Sequence, residues 1–120
     1  MRINDAAIHS FDASLWRTLQ DQKHQRLEAQ RRETLEKSLK ALQAYFAHYP
    51  TAKAYVTGSI LCEGRFAPWS DIDVAVAGFR GDYFRTLVDL EELLDRNVDL
   101  IELENCRFRE SIEKQGLRVQ

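Results

Sequence analysis

Two aspartates stand two residues apart where a polar loop gives way to an apolar tract. Asp71 and Asp73 lead into Val74-Ala75-Val76-Ala77. On a β-strand, residues i and i+2 project from the same face, so both carboxylates leave the sheet together. Two ionised carboxylates side by side repel each other unless a cation lies between them, and a hard divalent ion with oxygen ligands fits best. The pair therefore predicts a metal-ligating site rather than the hydrated surface on which most aspartates lie.

A Gly-Ser step precedes this pair and ends the first predicted strand, which opens at Tyr55-Val56. A strand that stops at Gly58-Ser59 offers exposed backbone N–H groups and a hydroxyl, and that combination suits a phosphate group. The alternative for Ser59 is a simple turn residue.

A third aspartate, Asp99, lies inside another apolar tract, Val98-Asp99-Leu100-Ile101. Aspartate is disfavoured in strands, so its presence there favours a functional reason. Adjacent strands lie about 4.8 Å apart, so Asp99 on a strand beside Asp71 and Asp73 would complete a cluster of three carboxylates. Three such groups could hold one or two Mg²⁺ ions and leave open positions for water and phosphate oxygens.

Together these elements resemble the nucleotidyltransferase superfamily related to DNA polymerase beta. Its pattern is Gly-Ser, a spacer, Asp-x-Asp and a third carboxylate from a neighbouring strand, and all of these have counterparts here. The small size and the wording Ser70-Asp71-Ile72-Asp73 are most similar to the minimal nucleotidyltransferases (MNT proteins). The resemblance covers residues 35–120, and the three elements taken together are far more specific than Asp-x-Asp alone.

The resemblance implies a role for each site residue. Asp71 and Asp73 would hold both metal ions, and Asp99 would ligate the catalytic ion and assist deprotonation of the attacking hydroxyl. Gly58 and Ser59 would grip the β and γ phosphates of ATP, which reacts at its α phosphorus with loss of pyrophosphate.

The spacer departs from the family pattern at two points. Eleven residues separate Ser59 from Asp71, one more than is usual in the family. Glu63 precedes Gly64 where the family often has arginine, so Arg65 is the candidate for the phosphate contact. Ser70 completes the predicted nucleotide-binding set, and it is also expected to cap or orient the strand of Asp71.

The resemblance also implies a biological role. Minimal nucleotidyltransferases typically act as antitoxins that transfer AMP to a helical HEPN ribonuclease toxin, often to a tyrosine. We therefore expect an enzyme, a protein adenylyltransferase that uses ATP and Mg²⁺, and we expect the acceptor to arrive as a separate molecule. Two alternatives stay open: a non-catalytic antitoxin that acts by binding its toxin, and a nucleotidyltransferase that acts on a small molecule.

Composition sets outer limits on these hypotheses. One hundred and twenty residues, 44% apolar and 30% charged, predict one ordinary globular domain. A net charge of −2 provides no field that would recruit nucleic acid, so no direct nucleic-acid partner is expected. The two cysteines are too few for a disulfide scaffold, and neither a signal sequence nor a membrane span is evident. We expect a cytoplasmic protein that does not contact a membrane.

Residues 13–48 predict one long helix, because they contain neither Gly nor Pro and are rich in Leu, Ala, Glu, Gln, Lys and Arg. Ser10 or Asp12 could cap it. Leucines and Phe46 form an apolar stripe in its second half, whereas residues 20–34 offer only Leu27 and are expected not to bury against a core. The far end carries an apolar patch, Leu15, Trp16 and Leu19 (the arm patch). This segment either meets a partner, as a homo- or hetero-oligomer, or folds back on its own domain.

The remaining pattern predicts the order αββαβαβ. Strands are expected at 55–57, 71–77, 98–103 and 117–119, with helices at 82–94 and 107–115, the last closed by Gly116. On helix 82–94, Phe84 and three leucines are expected to face the core. The fold class is therefore α/β (α+β): a mixed sheet of about four strands with helices packed on it, preceded by the long helix. We divide the chain into an N-terminal helical extension, 1–34, and a minimal nucleotidyltransferase domain, 35–120.

Overall fold

The computed structural model describes residues 12–120, which form three helices and one four-stranded sheet. In chain order the elements are α1 (Ala13–Phe46), β1 (Lys53–Thr57), β2 (Ile72–Ala77), α2 (Tyr83–Leu94), β3 (Val98–Glu102), α3 (Arg109–Gln115) and β4 (Leu117–Arg118). Two short 3₁₀ turns, Gly58–Leu61 and Leu103–Asn105, follow β1 and β3. The predicted order αββαβαβ and the mixed α+β class are confirmed.

Helix α1 is one continuous helix of 34 residues, about 51 Å long at 1.5 Å per residue. The Asp12 carboxylate caps its start by accepting hydrogen bonds from the N–H groups of Ser14 and Leu15. The other predicted cap, Ser10, lies outside the described residues. The predicted domain boundary at residues 34 and 35 falls inside this single helix.

The sheet has the strand order β3-β2-β1-β4. Strand β1 pairs antiparallel with both β2 and β4, whereas β2 and β3 run parallel to each other. The parallel pair is connected by α2, which is the crossover that parallel neighbours require. This topology places the ends of β1, β2 and β3 that carry the predicted site residues at one edge of the sheet.

One face of the sheet is covered by α2 and the C-terminal half of α1. The buried side chains on this side include Leu42 and Phe46 of α1, Leu90 of α2, and Val56, Ile72, Val74 and Val76 of the strands. The opposite face carries a smaller cluster of Tyr55, Ala75, Ala77 and Leu103, against which Ile112 of α3 packs. Helices therefore contact both faces of the sheet.

Helix α2 differs from the sequence prediction in its first turn. Phe84 was expected in the core, but it is 73% exposed. Its neighbour Tyr83 packs instead, and the Tyr83 hydroxyl donates a hydrogen bond to the Leu100 carbonyl at 2.8 Å. The Asp82 side chain caps the helix by accepting a hydrogen bond from the Arg85 N–H. Further along the helix, three leucines face the core as predicted: Leu87, Leu90 and Leu94.

The middle of α1 also differs from the prediction. Residues 20–34 were expected to remain unburied, yet Glu28 and Arg31 are buried against the turn that follows β1. The contact is polar, which is why a count of apolar residues did not find it. The arm patch is more than half exposed at each residue, so the expectation that it folds back on its own domain is wrong for residues 12–120.

Gly116 closes α3 as predicted, but without the left-handed conformation that glycine commonly adopts at the end of a helix. Its φ is −69°, so no left-handed conformation is involved. A Cβ at this position would collide with the Ile112 carbonyl and press on the Val56 carbonyl. Glycine is needed here because β4 lies against β1 with no room for a side chain.

Candidate active site

Asp73 and Asp99 are register partners on the parallel strands β2 and β3. Both lie near the N-terminal ends of their strands, and by strand alternation Asp73 shares the face of Ala75, opposite the face covered by α1 and α2. Asp71 is exposed and immediately precedes β2. The fold therefore brings all three predicted carboxylates to one edge of the sheet, two of them directly side by side.

Gly58 lies at the same edge because β1 is antiparallel to β2. Thr57, the last residue of β1, is the register partner of Asp73, and the chain then turns at Gly58 with a φ of +83°. A Cβ at residue 58 would overlap the Asp73 carboxylate. The Gly-Ser step therefore allows the end of β1 to approach the acidic pair, a closeness that any side chain would prevent.

The electrostatics of the site centre on Asp73. Burial, and next the neighbouring carboxylates of Asp99 and Asp71, raise the pKa of Asp73 to about 6. The two coulombic contributions mean that the three side chains are close enough to repel one another. An acidic group with a raised pKa at a sheet edge is typical of a functional site, where a cation commonly removes the repulsion.

The donor set fits a hard divalent cation, because all three predicted ligands are carboxylates. Within residues 12–120, however, no group of three or more Asp, Glu, His or Cys side chains is already arranged to hold a metal ion.

The turn after β1 presents the predicted phosphate contacts. Gly58–Leu61 is a 3₁₀ turn, closed by a hydrogen bond from the Cys62 N–H to the Ser59 carbonyl at 3.0 Å. Ser59 is half-buried, and it directly follows the glycine that touches Asp73. Ser59 therefore lies one residue after the close approach of Gly58 to Asp73, and its predicted phosphate contact stays a prediction.

Ser70 and Arg96 hold the loop that leads into Asp71. The Ser70 hydroxyl accepts a hydrogen bond from the Ala67 N–H at 2.9 Å. The Arg96 guanidinium donates to the carbonyls of Ala67 and Ser70, and it lies 4.7 Å from the centre of the Phe66 ring. Ser70 thus orients the loop, as one of its two predicted roles requires, and its predicted nucleotide contact stays a prediction.

A family model for "Polymerase beta, Nucleotidyltransferase" matches residues 40–119, which are 80 of the 120 residues. The chain belongs to this polymerase beta-type nucleotidyltransferase family. The general chemistry of the domain is therefore nucleotidyl transfer, and the mixed sheet described above is consistent with the fold of this family. A comparison with curated protein sequences finds no match.

In this nucleotidyltransferase the two charged residues of the altered spacer, Glu63 and Arg65, have different surroundings. The Glu63 carboxylate lies 3.3 Å from Nε2 of His24, on the exposed surface of α1. Arg65 is exposed, and within residues 12–120 its side chain makes no hydrogen bond or ion pair. Glu63 is therefore directed towards the long helix, whereas the Arg65 guanidinium is available to an anion.

Sequence reasoning missed Glu28 and Arg31, which lie outside the segment matched to the nucleotidyltransferase family. They are only 8% and 9% exposed, and both contact the turn that carries Ser59. The Glu28 carboxylate forms an ion pair with Arg31, at spacing i,i+3 on α1. The available signal was a Glu and an Arg on one face of the helix, in a segment whose one large apolar residue is Leu27.

The site of this nucleotidyltransferase is an open edge rather than a deep cavity. A cavity of about 300 Å³ lies nearby, between α1 and the loop before Asp71, but none of the three carboxylates lines it. Its walls include Leu27 and Thr34 of α1, together with Phe66 and Arg96.

Within residues 12–120, no helix combines the length and the apolar character that a bilayer crossing needs.

Proposed function

We propose that this protein is a Mg²⁺-dependent nucleotidyltransferase that moves AMP from ATP to a hydroxyl group of a protein. The acceptor we propose is a HEPN ribonuclease toxin, which the modification neutralises, so that the protein acts as its antitoxin. The observation that carries the catalytic part is the register pair Asp73–Asp99 beside the Gly58 turn. This closeness supports the inference that the acidic side chains and a phosphate-binding turn form one small site.

The reaction is an in-line displacement at the α phosphorus of ATP. The acceptor oxygen forms a bond to this phosphorus, the bond to the β-phosphate oxygen breaks, and pyrophosphate leaves with the bonding electrons. The hydroxyl proton passes to the Asp99 carboxylate, which is exposed and can release it to water. In this proposal the protein contributes mainly position and charge.

Asp71, Asp73 and Asp99 would hold Mg²⁺. The bound cation supplies neutralisation of the phosphate charge, which an edge carrying three carboxylates cannot provide by itself. Gly58 and Ser59 contribute backbone N–H groups and a hydroxyl for the β and γ phosphates. Arg65, exposed in the same loop, supplies the side-chain cation in place of the arginine that the family often has one position before the glycine.

The position of Glu63 favours catalysis over a binding-only role. A carboxylate next to the triphosphate would repel it, and that was the reason to consider a non-catalytic antitoxin. The Glu63 carboxylate contacts His24 on α1, and Glu63 is not among the groups that raise the pKa of Asp73. The altered spacer is therefore compatible with an anionic substrate.

A protein acceptor is supported by the exposed arm patch. Leu15, Trp16 and Leu19 are each 54–56% exposed and lie within two helical turns. An apolar cluster of this kind on a projecting helix is typical of a surface that meets another protein. The resemblance to minimal nucleotidyltransferases names the class of that protein.

The test mixes the protein with a HEPN ribonuclease toxin, ATP and Mg²⁺, and weighs both proteins by intact-mass spectrometry. We expect the toxin to gain one or more AMP units, with release of one pyrophosphate for each. The matched variants are Asp73→Asn and Asp99→Asn, which should abolish the gain, and Asp89→Asn on α2, which should preserve it. No mass gain with the wild type refutes the proposal, and neutralisation that survives Asp73→Asn supports the binding-only alternative. Pyrophosphate release with small hydroxyl compounds alone would favour a small-molecule acceptor.

A further inference from the structure

The long helix contacts the loop 58–65, which contains the proposed phosphate contacts Gly58, Ser59 and Arg65. It does so through a buried pair of charged residues. Glu28 and Arg31 lie on consecutive turns of α1, and the Arg31 guanidinium donates to the Glu28 carboxylate at 2.8 and 3.0 Å. The Arg31 guanidinium, and then the Gly64 N–H, hold the pKa of the Glu28 carboxyl below its usual range. The pair is therefore ionised at neutral pH.

Each member of the pair also bonds to the backbone of the turn. Nη1 of Arg31 donates to the Ile60 carbonyl at 3.0 Å, and the second carboxylate oxygen of Glu28 accepts from the Gly64 N–H at 2.8 Å. Ile60 is the residue after Ser59, and Gly64 comes directly before Arg65. The two bonds therefore fix both ends of a five-residue segment that lies between the proposed phosphate contacts.

Burial of two charges for stability alone would be a poor arrangement. A buried ion pair is commonly no more stabilising than apolar residues of similar size, since both ions lose their hydration. What this pair provides, and apolar side chains could not, is a donor for a carbonyl and an acceptor for an N–H at fixed positions. The segment 60–64 has few other polar contacts: within residues 12–120 these are local turn bonds and the exposed Glu63–His24 contact. The Ile60 side chain lies in the hydrophobic core and Leu61 packs against it, whereas residues 62–64 are exposed.

We propose that Glu28 and Arg31 are positioning residues of the nucleotidyl-transfer site, which hold the turn 58–65 in the conformation that receives the triphosphate. Neither residue touches the substrate; they act through Ser59 and Arg65. Both lie before residue 40, where the match to the family model begins, so this part of the site is supplied by the long helix. The inference rests on the proposed function for its effect on ATP, but the effect on the turn itself can be observed independently.

The decisive variant replaces the pair by apolar residues, Glu28→Leu with Arg31→Met. It leaves no unpaired buried charge, so we expect it to fold with a melting temperature close to that of the wild type. If the pair positions the turn, this stable variant should show a KM for ATP at least about tenfold higher with a smaller change in kcat, because misplaced phosphate contacts weaken substrate binding. Backbone amides 60–64 should also exchange with deuterium faster than in the wild type.

Two further variants complete the design. Arg31→Lys keeps the charge but loses the planar fork that spans Glu28 and the Ile60 carbonyl, so it should change in the same direction. The matched control is Glu33→Gln, which breaks an exposed pair with Lys37 on the same helix and should leave both readouts unchanged.

The outcomes separate the two proposals. Wild-type KM and wild-type exchange of residues 60–64 in either folded variant overturn the positioning role. If the wild type transfers no nucleotide, the proposed function fails, and the exchange measurement still decides whether the pair holds the turn. If the variant with the apolar pair matches the wild type in both melting temperature and KM for ATP, the role of Glu28 and Arg31 is purely structural and the inference is wrong.

Discussion

The Asp73 carboxylate occupies the space into which a side chain at Gly58 would project. Gly58 also has a φ of +83°, so the residue is required for both conformation and space. This close approach joins the end of β1 to the acidic pair on β2 and β3. It makes the glycine a sensitive point for function.

Gly58→Ala should therefore reduce nucleotidyl transfer by about a hundredfold, since an aspartate displaced by about an ångström is enough for such a loss. Strain at positive φ should also lower the free energy of unfolding by about 1 to 3 kcal/mol. The matched control is Gly78→Ala, which has a φ of +64° but lies after the opposite end of β2, where a Cβ would meet the Thr51 carbonyl at 3.1 Å. Steady-state kinetics and urea unfolding of both variants test this. Equal losses of activity in the two would show that strain alone, not the contact with Asp73, is responsible.

Asp73 should destabilise the metal-free protein at neutral pH. Its pKa of about 6 in the folded state lies above the ordinary value of 3.8, so the folded state retains a proton between these values that the unfolded state has lost. Stability from this group is therefore lost as the pH rises from about 4 to about 6, and the full penalty applies above that range. In a chelating buffer at pH 8, Asp73→Asn should be more stable than the wild type by about 1 to 2 kcal/mol after allowance for solvent screening.

Unfolding of wild type and Asp73→Asn by urea between pH 4 and pH 8 measures this difference. It should shrink towards zero near pH 4, and Mg²⁺ should stabilise the wild type more than the variant. Asp71→Asn is the control, because an exposed carboxylate contributes little to stability. A wild type that is more stable than Asp73→Asn at pH 8 without metal would contradict the electrostatic account of the site.

The sequence was informative about the site because its central features are local. The i,i+2 spacing of Asp71 and Asp73 fixes their relation on any strand, and Gly-Ser at a strand end needs no knowledge of distant contacts. Asp99 required one further step, that its strand be a neighbour of β2, and the parallel β2–α2–β3 unit satisfied it.

The features that the sequence did not reveal depend on contacts between distant segments. Glu28 meets Gly64 across 36 residues, and the contact is polar, so hydrophobic periodicity contains no trace of it. In the first turn of α2 the prediction chose Phe84 for the core, whereas its neighbour Tyr83 packs there; adjacent residues are about 100° apart around a helix. At that helix Tyr83 and Phe84 are adjacent and similar in hydrophobicity, and only the hydroxyl of Tyr83 finds a carbonyl partner, at Leu100.

Arg96 should matter for the loop that delivers Asp71. Lysine cannot reproduce both the hydrogen bonds to the Ala67 and Ser70 carbonyls and the stacking on Phe66, so Arg96→Lys should lower stability by about 1 to 2 kcal/mol and reduce transfer. The control is Arg85→Lys, whose side chain is 80% exposed and pairs with Asp89; it should change stability by less than about 0.5 kcal/mol. Thermal melts and kinetics test both. Unchanged activity in Arg96→Lys would remove the loop from the catalytic argument.

The arm patch should serve association and not folding. Leu15, Trp16 and Leu19 are more than half exposed, so replacing all three by glutamine should leave the melting temperature and the metal-dependent binding of ATP unchanged. Binding of the proposed HEPN toxin should weaken at least about tenfold, because a tryptophan with flanking leucines is a common centre of binding energy. Titration calorimetry with the purified toxin measures this, and Phe84→Gln on α2 is the control for a second exposed apolar residue. If toxin affinity survives the triple substitution but falls with Phe84→Gln, the partner docks on α2, and the projecting helix has its role only in the site through Glu28 and Arg31.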